Sequence, residues 1–246
     1  MKSYRIRGIV LRSRVMREAD RLLTLFTYER GKIKAVAYGA AKPQSKKRGA
    51  VQPFTVASLL LEAGQEMDVV RQAEEVMAFS GLHGDLTLLS YAASACELVE
   101  LLCPEGQPNP GVYDLLLLYL RLLSKQERRP LTLAFTAKLL ALTGFRPLLE
   151  ACAHCGQPLS AAAFFSLRLG GVLCPHCRSQ DPDGFSCSPG TIRLLSSLTE
   201  WPLERLGSVK VSAGMLDELG ALLHSYLSFT LEREPRSLGF LRQIGE

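Results

Sequence analysis

Apolar residues recur at strand-like spacing through the first eighty positions and at helical spacing from about position 84 onward. Tyr4-Arg5-Ile6-Arg7-Gly8-Ile9-Val10-Leu11-Arg12 alternates with near period two, and Leu22-Leu23-Thr24-Leu25-Phe26-Thr27 is a second apolar run. Glu29-Arg30-Gly31-Lys32 predicts a turn in which Gly31 takes positive φ, and residues 33–38 predict the returning strand of a hairpin. Residues 39–49 are polar and predict a mobile loop. Stretches 50–56, 58–63 and 67–78 predict two or three further strands. Several short strands with glycine-marked turns predict a small barrel; a strongly basic side and the aromatics Tyr4, Tyr38 and Phe54 favour the OB type.

The helical part opens with Asp85 as a cap, followed by Leu89, Ala92, Cys96, Val99 and Leu102 on one face, and Pro104 stops it. Asn109-Pro110 starts a second helix over 112–124 that is apolar nearly all round and predicts a central place in a bundle. A third covers 130–143 and closes at Gly144. Ser188-Pro189 caps a helix over 190–198, and 201–206 predicts a short one that takes Trp201 into the core. Ser212 precedes a long helix, to about 232, with Leu216, Leu219, Leu223 and Tyr226 on one face. The C-terminal helices are expected to return onto the first three, which makes 151–187 an insertion. The expected fold class is therefore α+β multidomain. An OB-type barrel covers 1–80, a helical domain covers 81–150 and 188–246, and an insertion with two cysteine pairs, read below as metal-binding, covers 151–187.

Charge sharpens this division. Residues 1–50 hold fourteen Lys and Arg against three Asp and Glu, although the whole chain carries only +5. Confinement of positive charge to the first fifth points to a polyanion-binding domain joined to something else. No window approaches the roughly 18 consecutive apolar residues of a membrane span. The start, Met1-Lys2-Ser3-Tyr4, leads into a basic strand without an apolar stretch of signal-peptide type. The expectation is a cytoplasmic chain with no membrane partner.

Seven cysteines in such a setting favour metal ligation over disulfides. Cys152-x2-Cys155 and Cys174-x2-Cys177 are separated by eighteen residues, the spacing of a four-cysteine zinc ribbon. Two intervening residues let one tight turn aim both sulfurs at one ion. The strand-like 164–169 and 172–173, joined at Gly170-Gly171, bring the second turn back. Four thiolates leave no position for water, so a structural zinc is expected rather than a hydrolytic one. His154 and His176 are expected to be exposed, Cys96 and Cys103 to lie in the core, and Cys187 to be a lone, partly buried thiol.

Catalytic signatures are missing from the sequence. There is no phosphate-binding glycine loop, no G-x-S-x-G, and no H-x-E of the zinc deaminases. Glu18-Ala19-Asp20 is a close carboxylate pair, expected to be solvated or paired to Arg17 or Arg21. The expectation is a protein that is not an enzyme.

Glu18-x-Asp20-x-Leu22-Leu23-x-Leu25-x-Thr27, Gly31-Lys32-Ile33, Ala37-x-Gly39-Ala40, Ser45-Lys46 and Gln52-Pro53-Phe54 resemble the RecO family in type and order. The resemblance runs through the helical middle to the CxxCG…GG…CxxC segment. It implies a bacterial recombination mediator of DNA repair with an N-terminal OB-fold, a helical domain and, in many members, a zinc module. It further implies binding of single- and double-stranded DNA, annealing of complementary strands, and work with RecR, with RecF in the same pathway. Assisted loading of RecA onto DNA coated by single-strand-binding protein is implied as well. The candidate DNA-binding residues are Lys32, Lys34, Lys42, Lys46, Lys47 and Arg48 around the hairpin and loop, then Arg5, Arg7, Arg12, Arg14, Arg17 and Arg21. Tyr4 and Tyr38 either stack on bases or belong to the barrel core. An alternative is a zinc-ribbon scaffold whose leucine-rich helices dock a partner protein, with DNA contact secondary.

Overall fold

The structure is a computed structural model that describes residues 2–159, 163–208 and 210–237. Strand β1 (Ser3–Arg17) sends Tyr4, Ile6 and Val10 to one face and Arg5 and Arg7 to the other. The inward set continues as Leu23 and Leu25 on β2 (Asp20–Thr27) and as Ala35 and Ala37 on β3 (Gly31–Ala37). It is completed by Ala57, Leu59 and Leu61 on β4 (Val56–Glu62) and Val70 on β5 (Asp68–Met77). These strands close in the order β1-β2-β3-β5-β4, with β3 and β5 pairing in parallel and the other neighbours antiparallel. Small and aliphatic side chains alternating inward fill a barrel of this size. The expected OB-like barrel is present.

Two details of the barrel differ from expectation. Residues 50–55 are turns rather than strand: Phe54 is buried at φ 68°, its amide donates to the Val10 carbonyl, and the Val10 amide donates to Thr55. The same point is a register shift in β1, so the irregular segment fills the gap that the shift leaves in the ladder. Residues 39–49 are wound instead of open, with Lys42, Ser45 and Arg48 amides donating to Gly39, Lys42 and Ser45 carbonyls in succession.

The chain divides into two compact units, Met1–Ser124 and Lys125–Glu246. In the first, a short helix α1 (Ser80–His83) precedes α2 (Leu86–Leu102), whose start is held by the Asp85 carboxylate accepting from the Thr87 and Leu88 amides. Helix α3 (Pro110–Leu122) is capped by Asn109, which accepts from the Val112 amide at 3.1 Å. It buries Val112, Leu116, Tyr119 and Leu120 but exposes Asp114 and Arg121, so it is not enclosed all round. Between α2 and α3 the chain crosses the β2–β3 turn. The Gly106 amide donates to the Lys32 carbonyl, and a Cβ at Gly31 (φ 64°) would lie 1.8 Å from the Gln107 carbonyl oxygen.

In the second unit α5 (Pro189–Glu200) and α6 (Ala213–Thr230) both pack on α4 (Arg128–Leu142). Ser188 and Ser212 cap α5 and α6 as their positions predict. The face Leu216, Leu219, Leu223 and Tyr226 is buried. The expected stretch beyond 237 lies outside the described residues. Trp201, expected in the core, stands 38% exposed just past the end of α5. The inserted hairpin is β6 (Ala163–Ser166) and β7 (Gly171–Leu173), and it gains a strand the sequence pattern does not announce, β8 (Phe185–Cys187), on the far side of β6. Phe165 packs edge-on against Tyr226 at 5.5 Å, which seats this sheet on α6.

Candidate nucleic-acid interface and metal centre

The four predicted ligands converge. The sulfurs of Cys152, Cys155, Cys174 and Cys177 all lie within 4.8 Å of one another, and Cys155 and Cys174 are 3.9 Å apart. A tetrahedral ion with metal–sulfur bonds of about 2.3 Å requires sulfurs about 3.8 Å apart, so the donor set fits one metal ion. Two loops build the site. The Gly156 amide donates to the Cys152 carbonyl with Gly156 at φ 73°, and the Cys177 amide donates to Cys174. The hairpin joins them: Ala153 donates to the Val172 carbonyl, and the Cys174 amide donates to Cys152 Sγ at 3.4 Å.

Burial pushes the Cys152 thiol up, but the backbone amides around it outweigh that and bring it down to about 6. A thiol so disposed is ready to become a thiolate ligand. His154 and His176 are exposed, and neither belongs to the sulfur cluster. Cys96, Cys103 and Cys187 are buried free thiols, each pushed up by that burial. Cys96 and Cys103 lie in the core as expected, and Cys187 is more deeply buried than expected, at 6% exposure.

The basic residues separate into four groups. Arg12, Lys32 and Lys34 face α2 and the segment after it. Arg12 Nε is 3.1 Å from the Glu100 carboxylate, Lys32 donates to the Glu100 carbonyl at 2.5 Å, and Lys34 is 2.5 Å from Glu105. The Lys34 hydrogen bond holds the Glu105 carboxyl below its usual range. Arg21 lies on β2 between β1 and β3, while Arg14 and Arg17 lie on the far half of β1, which pairs with β4 only as far as Ile9 and runs on against β2 alone. Val15 and Met16 at its tip are exposed. The carboxylate beside it is structural: Asp20 accepts from the Gly39 amide at 2.8 Å.

Lys42, Lys46 and Arg48 are exposed on the wound segment. Lys47 is half-buried, donates to the Val70 carbonyl at 3.1 Å, and is pushed down by burial and by Arg71. With Lys46 and Arg71 it lines a cleft of about 660 Å³ whose other wall carries Glu74 and Glu75. Arg5 and Arg7 stand exposed on the outer face of β1.

Of the aromatics, Phe54 is buried and Tyr38 is 49% exposed. Tyr4 is half-buried, donates its hydroxyl to Asp68, and lies 3.9 Å under the Arg30 guanidinium. Burial and that hydrogen bond push its hydroxyl up to about 12. Tyr28 and, on α3, Arg121, both absent from the sequence-based set, line one cleft with Arg5 and Arg7 of β1. The apolar run before Tyr28 and the amphipathic position of Arg121 are their weak signals in the chain.

An OB-like barrel joined to helices that carry a four-cysteine metal-binding module is a recognisable class of chain. The sequence places this one within it: the family description Recombination protein O N terminal matches residues 1–79, and Recombination protein O C terminal matches 83–239. The chain belongs to the RecO family. It is 48% identical over 245 residues to the DNA repair protein RecO of Desulforudis audaxviator, covering 100% of this chain and 98% of that one. It is 43% identical to the DNA repair protein RecO of Pelotomaculum thermopropionicum, covering 100% and 96%. Among the described residues no helix is long and apolar enough to cross a membrane.

Proposed function

We propose that this chain is a non-enzymatic mediator of DNA repair in the cytoplasm. It binds single- and double-stranded DNA through the barrel, anneals complementary strands, and assists RecA loading together with RecR, in the pathway of RecF and single-strand-binding protein. The observation that carries the reading is the set of exposed cations Arg14, Lys42, Lys46 and Arg48 on an OB-like barrel, none of them in an ion pair among the described residues. Unpaired cations on such a surface attract phosphates and release counterions. Annealing needs no bond-making group: neutralising two backbones lets strands approach, and base pairing supplies the free energy. The division proposed with it is a barrel over 1–80, a helical domain over 81–150 and 188–246, and a cysteine insertion over 151–187, with DNA contact assigned to the barrel.

Zinc is the metal proposed for the four cysteines. Cys152, Cys155, Cys174 and Cys177 would hold it in a closed site, where it supplies structural cross-linking. Its role is to fix the β6–β7 hairpin beneath its two cysteine turns.

A docking role for the second unit is favoured by exposed Leu142, Phe145, Leu148 and Trp201 beside the Arg146–Glu200 ion pair. RecR is the partner proposed. Affinity for single-stranded DNA should fall log-linearly with salt, by a slope near −0.7 for each phosphate contacted. Binding that ignores salt would overturn the DNA reading, and a chain that binds DNA but captures no RecR would overturn the docking reading.

A further inference from the structure

The outer face of β1, β4 and β5 carries a cleft that the proposed binding residues do not explain. Its volume is about 630 Å³, within the roughly 300–1,000 Å³ of ligand sites. Arg5 and Arg7 form one wall and Arg121 of α3 another, with none of the three in an ion pair among the described residues. Glu29 and Asp114 also line it, which leaves the cleft cationic by one charge.

Two apolar groups stand in the cleft where burial would be expected to take them. Tyr28 is 45% exposed, held by its amide donating to the Arg7 carbonyl and by edge-on contact with Tyr113 at 5.6 Å. Val76 is 45% exposed at a β5 irregularity: Met77 pairs with Val56 and Glu75 with Ala57, so Val76 is skipped by the ladder. Irregularities of this kind re-aim a side chain. Tyr113 adds an independent observation. It lines the same cleft, is 3% exposed, and among the described residues its hydroxyl has no hydrogen-bond partner. A buried hydroxyl without a partner carries a desolvation cost that a polar ligand would relieve.

We infer that this cleft holds one nucleotide of single-stranded DNA, with the base against Tyr28 and Val76 and the backbone phosphate between Arg5 and Arg7 on one side and Arg121 on the other. The inference rests on the DNA-binding reading and extends it. The OB strands 2 and 3 are the usual platform, whereas this cleft lies on strands β1, β4 and β5 and uses a residue from a helix. A strand that follows the 42–48 segment would gain a stacking position and a second phosphate clamp. Aromatic stacking tolerates any base, so the site adds affinity without sequence preference.

The test uses the full chain and an oligothymidylate carrying 5-iodouracil. Photocrosslinking should label the tryptic peptide 22–30, which contains Tyr28. Tyr28→Leu should weaken binding by about tenfold while Tyr28→Phe stays near wild type, since a ring stacks and an aliphatic group of similar size does not. Arg121→Gln should weaken it about threefold and make the salt dependence shallower. Matched thermal melts establish that the variants fold. A wild-type chain that binds no DNA would bring down the DNA-binding reading itself. A wild-type chain that binds, crosslinks only within 42–48, and loses nothing in Tyr28→Leu or Arg121→Gln would overturn the cleft alone. Protection of Tyr28 by polyglutamate but not by DNA would overturn it too, marking an acidic-protein site.

Discussion

Arg12 reaches from β1 to α2, where its guanidinium lies 3.1 Å from the Glu100 carboxylate. Lys32 donates to the backbone carbonyl of the same Glu100, and Lys34 pairs with Glu105. Three cations that look available in the sequence therefore help hold the barrel to the helix that follows it. Arg12→Gln should lower stability by about 1 kcal/mol or less, since the pair is partly solvated. DNA affinity should change by less than about twofold. A denaturant titration beside a binding titration separates the two effects, and a large loss of affinity at unchanged stability would reassign Arg12 to the interface.

Charge reversal at Lys46, Lys47 and Arg48 should behave in the opposite way. Affinity for single-stranded DNA should drop by tenfold or more, and the salt dependence should become shallower by about 0.7 for each phosphate contact removed. Lys47 differs from its neighbours because it donates to the Val70 carbonyl. Its reversal alone should also lower the melting temperature, whereas reversal of Lys46 should not. Fluorescence anisotropy at several salt concentrations, with melts on each variant, checks both statements.

Gly31→Ala should be among the most damaging single changes in the first unit. The residue sits at φ 64°, and its missing Cβ would lie 1.8 Å from the Gln107 carbonyl oxygen. Left-handed backbone costs a non-glycine residue on the order of 1 kcal/mol, and the clash adds displacement of the 105–108 segment. A loss of about 3 kcal/mol or more is expected in urea denaturation. Gly39→Ala, also at positive φ but with open space around it, should cost only the backbone part.

Cys174→Ser should abolish stoichiometric metal binding and lower the melting temperature of the second unit, because a structural site contributes its binding free energy to folding. Metal content by mass spectrometry and a melt with and without chelator provide the check. DNA binding by the barrel should survive in part. Unchanged melting together with unchanged zinc would reject the structural role.

Trp201 offers a simple probe, being the chain's single tryptophan and 38% exposed. Iodide should quench its emission in the free protein, and RecR should protect it if the apolar group around Phe145 and Leu148 is the docking surface. Quenching that RecR leaves unchanged would move the partner surface elsewhere.

Much of the architecture was legible in the sequence, and the physical reason is locality. Asp85, Asn109, Ser188 and Ser212 cap helices by hydrogen bonds to amides two or three residues away, so neighbouring residues alone specify them. Period-two alternation chose which side chains of β1 fill the barrel, and two CxxC turns across a glycine hairpin set the four ligands. Tertiary structure decided what depends on partners distant in the chain. It made Phe54 a left-handed plug for a bulge in β1, placed β8 on the far edge of β6, and left Trp201 outside the core. It also sorted cations of equal formal charge into those engaged by α2 and the segment after it and those left facing solvent. Charge and periodicity are properties of single positions, whereas a carboxylate 88 residues away, as Glu100 is from Arg12, becomes a neighbour only once the chain has folded.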